Sequence, residues 1–156
     1  MKTLVLYASK HGAAFEIAKR IASKFDKAAL FDLKQGGVPP IAEFDCVIIG
    51  SSIYAGTIRK EAKVFLTQNG DILRGKRLGL FLCGMDSSKE QEYLEANFDP
   101  DVLHAATAVG FLGGIFDPEK AGPIERFIMK TVAKQKEYLN TMDDNKISRF
   151  AKAMRT

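Results

Sequence analysis

Cys46-Val47-Ile48-Ile49 is a run of four apolar residues with no polar residue alternating among them, the pattern of a strand covered on both faces. A sheet wetted on one side would show a period of two, so this run asks for a parallel sheet with helices packed above and below it. The rest of the chain supplies the pieces. Thr3 to Tyr7 reads as a short first strand, and Ala14, Ala18, Ile21, Ala22 and Phe25 then recur at the spacing of one helix face. Ala28 to Leu33 is a second strand, closed by Gly36-Gly37 and Pro39-Pro40. A helix is expected from Arg59 to about Asn69, with Ala62, Phe65 and Leu66 inward and Gly70 as its stop. Lys76 to Cys83 is a fourth strand, Lys89 to Asn97 a short acidic helix, and Ala106 to Phe116 a fifth strand interrupted at Gly113-Gly114. Helical stretches at Ile124 to Leu139 and about Asp144 to Met154 finish the chain. Strands alternating with helices give an α/β domain whose right-handed crossovers place helices on both faces of the sheet. In such a fold, ligands bind beyond the carboxyl ends of the strands.

A length of 156 residues with 46% hydrophobic content suits one domain spanning residues 1–156. The longest apolar stretch, Ala105 to Phe116, is broken by glycines and falls short of the roughly 20 residues a membrane span needs. Thr3 to Tyr7 is too short for the apolar part of a signal peptide, so the expected location is cytoplasmic. Cys46 and Cys83 each lie in an apolar run; two such cysteines make neither a disulfide framework nor a structural zinc site, and both read as buried thiols. The net charge of +4 is unevenly spread: 14 basic and 15 acidic residues lie before Lys120, against 9 basic and 4 acidic from there on. That surplus carries no helix-turn-helix and no basic stripe interleaved with stacking aromatics, which argues against nucleic acid as a partner.

Three strand ends carry the candidate site. The first is Ser9-Lys10-His11-Gly12-Ala13-Ala14, a turn that opens directly into a helix. Helix N-termini present unpaired amides and a positive dipole end, and Gly12 lets the backbone curl close to an anion. Neither G-x-G-x-x-G nor the Walker pattern is present, so a single terminal phosphate fits better than a pyrophosphate. An ordinary strand-to-helix turn is the plainer alternative. The third strand ends in Gly50-Ser51-Ser52-Ile53-Tyr54-Ala55-Gly56, in which Tyr54 offers a face to a flat ring while small neighbours let backbone amides reach ring heteroatoms. The fourth ends in Cys83-Gly84-Met85-Asp86, another small turn. His104 has no chemical partner in the sequence and reads as structural or surface.

With its order of elements, its Ser9 to Ala14 turn and its Gly50 to Gly56 loop, the chain resembles a flavodoxin-type FMN domain. The likeness implies a flavodoxin-like three-layer sandwich: a five-stranded parallel sheet of order 2-1-3-4-5 with helices on both faces, flavodoxin itself being the type example of that order. Through Lys2-Thr3-Leu4-Val5-Leu6-Tyr7-Ala8-Ser9, Val47-Ile48-Ile49-Gly50 and Arg126-Phe127-Ile128-Met129-Lys130, it is most similar to the quinone-linked protoporphyrinogen dehydrogenase group and its relatives. The resemblance covers nearly the whole chain and is weakest from Asp86 to His104. It implies FMN as cofactor, held by Ser9, Lys10, His11, Gly12, Ala13 and Ala14 at the phosphate. Ser51, Ser52, Ile53, Tyr54, Ala55 and Gly56, with Cys83, Gly84 and Met85, would lie at the ring.

The chain also departs from the family pattern. Flavodoxins usually carry T-x-T-G-x-T at the phosphate turn, whereas only Ser9 and Gly12 remain here, leaving backbone amides with help from Lys10 or His11 to hold the anion. The implied activity is FMN-dependent oxidation of a reduced organic substrate, with electrons passed to a quinone and no side chain needed as a general base. The rival readings are a non-enzymatic electron carrier docking on a redox partner and a binding module that has lost its flavin. Arg126, Lys130 and Lys134, four apart, read as a basic helix stripe with Ile124, Phe127, Ile128 and Val132 available for another face. Such a stripe suits peripheral contact with an anionic membrane, or a solvated face above a buried one.

Overall fold

The computed structural model describes residues 1–131 and 134–156. Five parallel strands form the main sheet: β1 (Thr3–Ala8), β2 (Ala28–Asp32), β3 (Cys46–Tyr54), β5 (Arg77–Cys83) and β6 (Ala108–Phe111). They lie in the order β2-β1-β3-β5-β6, and the short β4 (Thr57–Ile58) folds back antiparallel on the end of β3. With β4 set aside this is the order 2-1-3-4-5.

The reason for the uninterrupted apolar runs is visible in β3. Cys46 and Ile48 enter the core on one side of the sheet, while Val47 and Ile49 enter the core on the other. Leu4 and Leu6 of β1 oppose Val5 in the same way, and Leu80 and Leu82 of β5 oppose Phe81. One outer layer is α1 (Ala13–Ala22) with α6 (Asp144–Arg155), and the other is α2 (Lys60–Arg74) with α3 (Glu90–Asn97) and α4 (Pro100–Ala105). Helix α1 buries Ala14, Ile17, Ala18 and Ile21. Its Arg20 reaches Asp144 at 2.8 Å, joining the two helices of that layer. Asp143 caps α6 by accepting from the N–H groups of Asn145 and Lys146.

Several boundaries differ from expectation. Helix α2 runs through Gly70 to Arg74, because Leu73 in its last turn is fully buried and holds the helix in place. Pro100–Ala105 is a helix that periodicity did not reveal; at six residues it is too short to show a period, although Asp99 caps it. The third strand extends to Tyr54, so much of the Gly50 to Gly56 loop belongs to the sheet.

The largest difference concerns the fifth strand. It ends at Phe111, and the chain leaves the sheet at Gly113, whose φ of +93° disfavours a side chain. A Cβ there would lie 2.1 Å from the Thr141 carbonyl oxygen, so this backbone crossing has room only for glycine. Past Gly113 the chain makes an excursion closed by a two-stranded ribbon, in which β7 (Ile115–Phe116) pairs antiparallel with β8 (Leu139–Asn140). Between them lies α5 (Pro123–Thr131), which stops well before the expected Leu139. Lys134 therefore lies outside the helix, in a left-handed conformation with φ of +54°. Val132, expected on the apolar side of that helix, lies outside the described residues.

Gly113→Ala combines an unfavourable φ with a backbone clash and is expected to cost about 1–3 kcal/mol. Urea unfolding measures it, and an unchanged midpoint would mean that the crossing relaxes freely.

Candidate functional site

Beyond the carboxyl ends of β1, β3 and β5 lies an open cavity of about 640 Å³. Its floor and walls come from the three expected turns: Lys10, His11 and Ala13 from the first, Ser52 to Gly56 from the second, and Cys83 to Asp86 from the third. The roof comes from the excursion, through Gly114 to Asp117, Ala121, Glu125, Ile128, Met129, Gln135 and Leu139. Tyr93 of α3 closes one side. A smaller groove of about 320 Å³ lies between α2 and the Asn97–Val102 turn, on the flank of the sheet and away from the strand ends.

Four of the expected site residues do not line the cavity. Ala14 is fully buried on the core side of α1, and Ser9 turns its hydroxyl inward to accept the Gly12 N–H at 2.8 Å. Gly12, the N-cap of α1, has φ of +101° and does not contribute to the wall either. Ser51 is buried; its Oγ accepts the Arg59 N–H at 2.9 Å and donates to the Ser52 carbonyl at 3.0 Å. These four shape the turns. The Gly12 conformation matters most, because it curls the chain so that the helix ladder begins only with Glu16 N–H donating to the Gly12 carbonyl. The amides of Ala13, Ala14 and Phe15 precede that first bond and have no acceptor within the helix, and the cap supplies no side chain for them.

The second turn is pinned from outside. Ala55 and Gly56 both have positive φ, 51° and 78°, which makes the two-residue turn between β3 and β4 one that follows the twist of its strands. The Asn97 side chain ties it down, donating to the Gly56 carbonyl at 2.9 Å and accepting the Ile58 N–H at 2.9 Å. Across the gap, Lys10 N–H donates to Ser52 Oγ at 3.3 Å, which joins the first turn to the second. The third turn meets the roof where Gly84 N–H donates to the Gly113 carbonyl at 3.0 Å.

One charged cluster spans the cavity. The Glu125 carboxylate, from α5, pairs with the Lys10 ammonium and with His11 Nε2, the latter at 2.9 Å. The same ammonium sits 3.3 Å from the centroid of the Tyr54 ring, a cation–π contact that covers one face of the ring expected to stack on a flat ligand. Burial raises the Glu125 pKa, but hydrogen bonds from Lys10 and His11 and their charges outweigh it and hold the carboxyl below its ordinary value. Burial pushes the Cys83 thiol up to about 12 and the Cys46 thiol up to about 11, so both stay protonated at neutral pH and neither is a nucleophile. His104 is exposed.

Sequence reasoning missed the roof. Its residues lie a hundred or more positions from the first turn, and no local pattern connects them. Glu125 did leave a trace, as the only acidic residue between Lys120 and Lys136.

Helix α5 also corrects the expected basic stripe. It buries no residue, and Ile124 and Phe127 are each 67% exposed, so the alternative of a solvated face over a buried apolar one does not hold. On an ideal helix of about 100° per residue, Phe127, Thr131, Ile124 and Ile128 form one face roughly 100° wide. Glu125 and Met129 flank it on the cavity side, with Arg126 and Lys130 away from the cavity.

The arrangement suits a flat, largely apolar ligand with one anionic end. The volume falls in the range of about 300–1,000 Å³ typical of small-molecule sites. Tyr54, Tyr93, Phe116 and Met129 provide apolar surface, and the basic end lies at the start of α1, where Ala13 enters the wall. FMN, with one phosphate and a fused ring, has this chemistry.

The Flavodoxin domain family model matches residues 4–143. Similar solved structures include the oxidised Flavodoxin 1 from Bacillus cereus, 15% identical with a TM-score of 0.61, covering 99% of this chain and 97% of that one. A short-chain flavodoxin associated with a non-canonical PDU bacterial microcompartment is 15% identical with a TM-score of 0.60 over the same shares. A putative flavoprotein from Bacteroides eggerthii is 16% identical with a TM-score of 0.53, covering 85% of this chain and 98% of that one. No curated protein matches the chain.

A carboxyl held below its unfolded value stabilises the folded state fully above that value, and the contribution is lost as pH falls through the lowered folded value. Glu125→Gln is therefore expected to be less stable than the native chain at neutral pH by about 1 kcal/mol, since the pair is partly solvated. The gap should close below the ordinary 4.5. Denaturant midpoints of both proteins from neutral pH to about pH 3 test this; a gap that does not change with pH would show that the ion pair is not its source.

Proposed function

The chain belongs to the flavodoxin domain family, and on that footing we propose that it binds FMN in the cavity above β1, β3 and β5 and carries out flavin redox chemistry. The observation that carries this reading is the coincidence, in one cavity, of the start of α1 at Ala13, two basic side chains and an apolar slot, the first amides of that helix having no acceptor within it. When bound, FMN supplies a centre that accepts electrons in pairs and releases them singly or in pairs. The chain's own residues bind and orient it. The amides of Ala13, Ala14 and Phe15 would receive the phosphate with Lys10 or His11, in place of the threonine hydroxyls usual in flavodoxins. Ile53, Tyr54 and Met85 would flank the ring, and backbone groups of Ala55, Gly56 and Gly84 would meet its polar edge. The roof from Gly114 to Met129 limits water at the ring.

The finer reading is a substrate-oxidising enzyme of the quinone-linked, protoporphyrinogen dehydrogenase type: a reduced organic donor loses electrons and protons at the flavin, and a quinone takes them up as the hydroquinone. Two features support it. The roof makes the cavity deep enough to hold an organic substrate, and the exposed apolar face of α5 stands beside the mouth, where a lipid-borne acceptor would arrive. The alternative, a carrier passing single electrons to a protein partner, rests on the family's general character. Anaerobic turnover with protoporphyrinogen and with quinones of different tail lengths distinguishes them; reduction and reoxidation only by protein partners would favour the carrier.

No helix among the described residues is long and apolar enough to cross a membrane. Contact with an anionic lipid surface would run through α5, with Ile124 and Phe127 entering the interface and Arg126 and Lys130 meeting the headgroups, each cation worth about 1 kcal/mol. Lys134 would add to the charge from outside the helix.

Two measurements test this reading. Reconstitution should load FMN at one per chain, with FAD at least about tenfold weaker because the turn seats only one phosphate; a preference for FAD, or uptake of neither, would remove the reading. In liposome sedimentation the protein should favour anionic over neutral lipid, and both Phe127→Ser and the double change Arg126→Gln with Lys130→Gln should reduce binding. Equal partitioning to the two lipids would exclude the α5 surface.

A further inference from the structure

We propose that Glu125 is an internal stand-in for the flavin phosphate: in the ligand-free chain its carboxylate occupies Lys10 and His11, and it thereby sets how strongly the site prefers a phosphorylated flavin over an unphosphorylated one. The inference rests on the FMN reading above. It starts from the fact that both basic side chains of the turn leading into α1 are engaged by one carboxylate. His11 Nε2 lies 2.9 Å from one Glu125 oxygen and 3.2 Å from the other, and the Lys10 ammonium pairs with the second.

Carboxylates and phosphates draw on the same donors, through charge-assisted hydrogen bonds of the same kind. Two anions cannot both take full advantage of one lysine and one histidine, because at such separations they repel one another. The Glu125 side chain is only 14% exposed, so water screens that repulsion weakly. A phosphate reaching the amides of Ala13, Ala14 and Phe15 therefore competes with Glu125 for Lys10 and His11, whereas an uncharged ribityl hydroxyl does not. The carboxylate lies on α5, which buries no residue of its own and whose segment meets the third turn through the Gly84–Gly113 hydrogen bond and closes on itself through Gly114 and Thr141. Because no residue of the helix is buried, its withdrawal on displacement of the anion would give up little packing. Release would also free the Lys10 ammonium from the face of Tyr54.

Glu125 so tunes selectivity at the phosphate end without touching the ring. The exchange costs FMN part of its binding energy and leaves riboflavin unaffected, so the native chain discriminates less between them than a turn with free cations would. Removing the negative charge should sharpen the discrimination.

The test is a titration of FMN and of riboflavin, followed by flavin fluorescence, against the native chain, Glu125→Gln, Glu125→Ala and the exposed-site control Glu119→Gln. Circular dichroism establishes that each variant is folded, and the alanine variant reports on the proposal should the glutamine one fail to fold. Both Glu125 variants are expected to bind FMN about tenfold more tightly and riboflavin within about twofold of native, while Glu119→Gln changes neither. Weaker FMN binding, or equal shifts for the two flavins, would overturn the inference and leave Glu125 as a residue that only positions α5. If no protein in the series binds either flavin, the FMN reading falls, and the inference with it.

Discussion

Burial of β1, β3 and β5 on both faces is the constraint on which the rest of the structure depends. Their backbone groups are consumed by the parallel ladder and their other side chains by the two cores, so among the described residues the body of the sheet keeps one buried side-chain oxygen without a partner, Thr3 Oγ1 at the amino end of β1, away from the ligand-binding strand ends. Polar chemistry is confined to the strand ends. At the carboxyl end of β1 this produces a helix start with unpaired amides, and at the ends of β3 and β5 it produces turns of small residues that expose backbone. The site is a consequence of the sheet being covered twice.

The strand ends alone would make a shallow cleft. Depth comes from the excursion between Phe111 and Asp143, which leaves the sheet at Gly113, returns through the β7–β8 ribbon and lays α5 across the opening. Among the described residues it is held by the ribbon, by the Leu112–Leu82, Gly84–Gly113, Asp143–Leu112 and Gly114–Thr141 hydrogen bonds, by the buried Phe116 and Ala121, and by the Glu125 ion pairs. Of the apolar residues of α5, Met129 faces the cavity, Ile124 and Phe127 are exposed to solvent, and Ile128, itself exposed, borders the cavity from the edge of that outer face.

The charge distribution acquires a different meaning once the fold is known. In sequence Arg126, Lys130 and Lys134 read as one basic helix stripe within the surplus from Lys120 onward, but a helix that ends at Thr131 keeps only Arg126 and Lys130 together. The acidic residue embedded in that basic stretch is the one that reaches across the cavity. Electrostatics at the start of α1 is therefore internal to the protein, set by a contact between residues more than a hundred positions apart.

How much of this was legible beforehand depends on the range of the interactions involved. Two-sided burial leaves a local mark, since each strand must be apolar throughout, and so Cys46 to Ile49 announced a parallel sheet and the alternation of elements announced its layers. The turns at Ser9 to Ala14 and Cys83 to Met85 were legible for the same reason, because strand ends are local and glycine and serine mark them, whereas in Gly50 to Gly56 the strand runs on to Tyr54 and only Ala55 and Gly56 form the turn. The short helix at Pro100–Ala105 was not, being less than two turns long. Nor were the roles within the turns: Ser9, Gly12 and Ser51 look like ligand groups in sequence but direct their polarity to the backbone around them. The roof, and Glu125 within it, depended on where the chain went after Gly113. That path is decided by a backbone crossing with Thr141 and by ion pairs to Lys10 and His11, contacts between distant segments that no periodicity records; the sequence by itself determined the sheet and the three turns at its edge, and only the tertiary structure decided what closes over them.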